Sequence, residues 1–86
     1  MNQDTAHTAW VTTDRAFLVG DSADLAVIEN DTNIIVFYTV LPVPYDATHD
    51  DLAAAVNTAL TKAGWEPAGL TQEVDTGEVI PVQRAH

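Results

Sequence analysis

The sequence predicts an α+β domain: a small antiparallel sheet, in the order β-β-β-α-β-β, with one helix packed on one face. Three observations predict it. Residues 33–41 are the longest unbroken run of apolar, β-branched and aromatic residues, the composition of a strand. Residues 48–64 carry a helix start, a helical stripe and a helix stop. Turn-forming clusters divide the remainder into short alternating segments.

In chain order, residues 1–7 are polar and read as a disordered tail. Residues 8–13 alternate weakly and are rich in β-formers, which predicts a short strand or an extended arm. Residues 15–19 are a further strand candidate, or a continuation of the first past a bend, stopped by Gly20-Asp21-Ser22-Ala23-Asp24. Residues 25–29 form the next strand. Asn30 to Asn33 suit a tight turn, because Asn and Asp tolerate left-handed backbone angles, and this turn pairs 25–29 with 33–41. Within 33–41, Ile34, Val36, Tyr38 and Val40 alternate with Ile35, Phe37, Thr39 and Leu41. Both sets are apolar, so the strand is expected to need cover on both faces, as a central strand does.

Pro42 and Pro44 end the pairing, since neither offers an N–H. Thr48 is placed to cap the helix, and Asp51 completes a capping-box-like pattern. Asp50 and Asp51 lie where the helix dipole favours negative charge. Leu52, Val56, Ala59, Leu60 and Ala63 recur at helical spacing, Lys62 lies near the end, and Gly64 takes the left-handed closing position. Trp65 is expected to fold back over Leu60. Residues 70–74 and 79–83 then read as a second hairpin turning at Gly77, with Pro81 arguing for an edge strand. Residues 84–86 read as a second disordered tail, so the whole chain, 1–86, is one domain.

Charge narrows the function classes. Thirteen acidic residues against three Lys and Arg give a formal charge of −10. Such a surface repels nucleic acid backbones and anionic membranes, so neither is expected as a direct partner. No apolar run is long enough to span a bilayer. Residues 1–13 lack a basic region followed by an apolar core, so no secretory signal is expected, and the cytoplasm is the default compartment. The absence of cysteine excludes disulfides, thiol catalysis and cysteine-based metal sites.

Candidate chemistry is sparse. His49 beside Asp50 and Asp51 has adjacent rather than i, i+4 spacing, so it predicts helix capping and not a metal site. The acidic turns at 20–24 and 29–33 lack the ligand order of a calcium loop. Ser22, the only serine, has no nucleophile-elbow context, and the four glycines form no phosphate loop. No catalytic residue, cofactor or metal ligand is therefore expected, and the chain reads as a non-enzyme.

Phe17, Phe37 and Trp65 are expected to fill the core. Trp10 and Tyr45, at element ends, together with Asp46, Asp50 and Asp51, are the candidate interaction residues, since exposed Trp and Tyr resemble interface anchors. The functional expectation is an acidic protein-interaction module, a homodimer or subunit binding a basic protein surface, of inhibitor, antitoxin, immunity or nucleic-acid-mimic type. Two alternatives compete. One is a small-molecule or metal-binding domain with a site between helix and sheet or at the 42–45 bend. The other is an ordinary domain whose acidity reflects salt adaptation.

Overall fold

The computed structural model describes residues 6–85. It has one helix and a six-stranded antiparallel sheet, with the elements in the expected order. Strands β1 (His7–Thr12), β2 (Ser22–Glu29) and β3 (Ile34–Pro44) precede helix α1 (His49–Ala63). Strands β4 (Trp65–Pro67), β5 (Gln72–Val74) and β6 (Gly77–Arg84) follow it. The spatial order is β3-β2-β1-β6-β4, with β5 pairing β6 along the same edge as β4.

The helix forms where its caps dictate. The Thr48 hydroxyl accepts a hydrogen bond from the Asp51 backbone N–H at 3.2 Å. Gly64 closes the helix in the left-handed conformation at φ 87°. Leu52, Ala55, Val56 and Leu60 are buried, with Ala59 and Ala63 packed alongside. They meet Ala9, Val11, Leu25, Val27, Leu41, Ile80 and Val82 from the sheet. The helix contacts β3 and β4, the two ends of the strand order. A sheet touched at both margins by one helix must curl round it, which is how a single Ala-rich helix covers a whole face.

Five expectations need correction. The 33–41 run is not central: β3 is an edge strand, and the weakly patterned β1 occupies the middle of the sheet. Apolarity on two faces reports what lies above and below a strand, not which strands lie beside it. Residues 15–19 form no strand. Arg15–Phe17 is a single 3-10 turn, capped by the Asp14 carboxylate, which accepts from the Ala16 N–H at 3.0 Å. Phe17 is therefore 67% exposed rather than in the core, whereas Trp65 is buried and Phe37 packs against the core.

Pro81 is not in an edge strand either, since β6 pairs β1 on one side and β4 and β5 on the other. β4 pairs residues 82–84 and β5 pairs 77–79, so Pro81 falls in the gap between them. Its carbonyl faces that gap, accepting from the Ala68 N–H at 2.7 Å. The N–H and C=O of a strand residue point the same way, so the missing donor costs no ladder bond.

The expected tails at 1–7 and 84–86 are contradicted at their inner ends, which lie in strands. His7 belongs to β1 and stacks 4.8 Å from Trp65, and Arg84 belongs to β6 with its guanidinium 4.2 Å above the same ring. Residues 1–5 and 86 lie outside the described residues. Among the described residues, no helix is long and apolar enough to cross a membrane.

Candidate functional site

Three surfaces carry features that the fold alone does not demand. The first is the sheet face away from the helix. Because Ala9 and Val11 point inward, Trp10 points out, and register extends this across the sheet. Tyr38, Ala26, Trp10 and Val79 form one cross-strand row, and Ile35, Ile28, Thr8 and Pro81 another. Tyr38 is 52% exposed, Ile35 and Val40 each 57% and Trp10 40%. A register shift between Val27 and Ile28 leaves Val36 as an extra residue on β3, also exposed. The Tyr38 hydroxyl donates to Asp24 Oδ2 at 3.0 Å, and this hydrogen bond raises the tyrosine pKa above 10.0. Desolvation and the Asp24 charge push in the same direction.

Second is a groove of about 610 Å³ between β3 and α1, its walls formed by Phe37, Val40, Leu41, Val43, Ala55 and Ala59. Lys62 and Asp51 also line it.

Third is a more polar pocket of about 500 Å³ beside the start of α1, where Thr13, Tyr45, His49, Thr71, Glu73 and Glu78 converge. Glu78 is only 8% exposed, the one charged side chain among the described residues that is buried. Its phase along β6 explains this: Glu78, Ile80 and Val82 share the inward face. Glu73 of β5 sits directly opposite it in the ladder.

The candidate interaction residues do not gather in one place. Trp10 lies on the open sheet face, while Tyr45 lines the pocket on the helix side, its N–H bonded to the Asp21 carbonyl at 2.8 Å. Asp46 and Asp50 are exposed at the helix approach, and Asp51 turns to the groove. Of the four residues 45, 49, 50 and 51, only Tyr45 and His49 enter the pocket. Among the described residues, no three His, Asp or Glu side chains are placed to hold a metal ion.

Glu73 and Glu78 escaped the sequence reading, although one signal was there: Glu78 stands in phase with two core residues. No family model matches the chain, and neither the curated proteins nor the solved structures yielded a match.

Proposed function

We propose that the chain is a non-enzymatic, acidic protein-interaction module that joins a second copy of itself through β3 and the open sheet face. Its remaining acidic surface is then free to meet a basic protein. The observation that carries this reading is the open face, where Ile35, Val36, Tyr38 and Val40 of β3 and Trp10 of β1, two strands away, lie exposed. Natural edge strands are usually guarded by charge, yet no charged residue occurs between Asn33 and Pro44. Pairing through an uncharged strand keeps most of the −10 charge of each copy away from the contact, with Asp24 beside Tyr38 as the exception. Inhibitors, antitoxins, immunity proteins and nucleic-acid mimics are the functional types that suit such a module.

Light scattering after size exclusion tests it. The native chain should elute at twice its monomer mass, and Val40→Asp should return it to monomer with an unchanged circular dichroism spectrum. A native chain that stays monomeric at high concentration would end this reading.

A second reading, a small-molecule domain, is favoured by the apolar groove between β3 and α1. An apolar dye that lights up on the native chain, and loses that signal when Ala59→Trp fills the groove, would support it. A signal that survives Ala59→Trp assigns the dye to the open face instead.

A further inference from the structure

We infer that the groove between β3 and α1 binds a fatty carboxylate, its head against Lys62 and its single tail running towards Asp51. The site rests on the small-molecule reading of this groove and adds the class of ligand to it. Cover is the first reason. Four apolar residues pack against the core yet stay only partly buried: Phe37, Val43, Ala59 and Ala63. All four line this groove, with the buried Leu41 also in its wall. The core is thus incompletely covered along one seam, and a hydrocarbon tail laid there gains from burying that surface.

Charge selects the head group. The chain contains three Lys and Arg residues. Arg15 is engaged with Asp21 at 3.4 Å and faces the Tyr45 ring, and Arg84 lies over Trp65. Lys62 makes no ion pair or ring contact with another described residue, and it lines the groove. A lysine in that place lays its stem along the apolar wall and keeps its ammonium at the water's edge, where a carboxylate can meet it. Thr58 lies one turn before Lys62 on the same wall, so its hydroxyl can donate beside the ammonium. The −10 charge of the whole chain opposes an anion, but in physiological salt charges further off than about 8 Å are largely screened. The cation at the groove decides.

The far end fixes direction and length. Asp51 lines the groove three helical turns before Lys62, about 16 Å away at about 1.5 Å per residue. A carboxylate head is repelled there and attracted at Lys62. A zigzag of carbon–carbon bonds of about 1.5 Å advances about 1.25 Å per bond, so roughly ten to thirteen carbons span the seam. The groove volume of about 610 Å³ lies within the roughly 300–1,000 Å³ that small ligands occupy.

The test is an amide chemical-shift titration of the full chain with decanoate and with its neutral counterpart decanol, both kept below aggregation. Decanoate should give saturable shifts at Phe37, Val43, Ala59 and Lys62. Lys62→Gln, at an exposed position, should weaken decanoate by about fivefold and leave decanol unchanged. Ala59→Trp fills the groove and should abolish both; Thr58→Trp, on the exposed side of the helix, serves if that variant fails to fold. Two compounds that bind in the groove with equal indifference to Lys62→Gln overturn the fatty carboxylate and leave a small-molecule groove standing. Shifts that are absent, that survive the tryptophan, or that fall at Trp10 and Tyr38 on the open face overturn both.

Discussion

Glu78 and Gly77 sit side by side and show how sharply one position can be constrained. Gly77 has φ 153°, and a Cβ there would run into the Val11 carbonyl of the adjacent strand. Gly77→Ala should therefore cost about 1–3 kcal/mol, read as a lower denaturant midpoint. An unchanged midpoint would mean that the β1–β6 contact yields freely. Glu73→Gln should act the other way, because it removes a like charge facing Glu78; a gain of about 0.2–1 kcal/mol is expected. A loss of stability would show that some other group already compensates the pair.

Tyr38 supplies a pH signature at the same scale. Its folded-state pKa lies above the 10.0 of a free tyrosine because its hydroxyl donates to Asp24. The folded chain thus holds this proton more tightly than the unfolded one. The contribution to stability is complete below pH 10.0 and is lost as pH rises through the raised value. Tyrosinate absorbance of the native chain minus that of Tyr38→Phe should place the midpoint above 10.0, and Asp24→Asn should bring it back down. A Tyr38 midpoint indifferent to Asp24→Asn would contradict the hydrogen bond.

Among the elements, the helix was the most legible. Its start at Thr48, stripe from Leu52 to Leu60 and stop at Gly64 all follow from local chemistry, and the structure reproduces them. Thr48→Ala should cost about 1 kcal/mol by leaving the Asp51 N–H without its cap, and thermal unfolding would reveal it. The strands were legible as segments but not as neighbours. Register within the β2–β3 hairpin follows from the turn at residues 30–33, where Asn33 takes φ 58°. Lateral order does not, since it depends on contacts between strands far apart in sequence. The three-residue β4 was missed altogether, because Trp65-Glu66-Pro67 carries no alternation long enough to register. Segment 15–19 misled for a simpler reason: its β-forming composition lost to the Asp14 side chain, which favours a local turn.

For the molecule as a whole, the charge of −10 bears on stability wherever its carboxylates face one another. Self-repulsion opposes the compact state, so the unfolding free energy should rise from low to molar salt as screening shortens its range. Stability indifferent to salt would argue that the acidic residues are spaced widely enough not to interact. The composition made this charge plain from the start, whereas the candidate pocket was hidden. Its residues come from β1's end, the 45–49 bend, β5 and β6, which only the assembled, curled sheet brings together.

The place of β6 has its own consequence for how the chain can fold. It completes the middle of the sheet by pairing with β1, which precedes it by some seventy positions (His7 lies opposite Val82). During synthesis, β1 therefore waits with one edge bare until residues 77–82 have been made. A nascent chain that ends at residue 64 holds the β1–β2–β3 strands and the helix but lacks the strand that covers the other edge of β1. Completion of this sheet therefore waits on β6, and the interval before β6 emerges is the period when the bare edges of β1 and β3 are most open to chaperones or to another copy of the same chain.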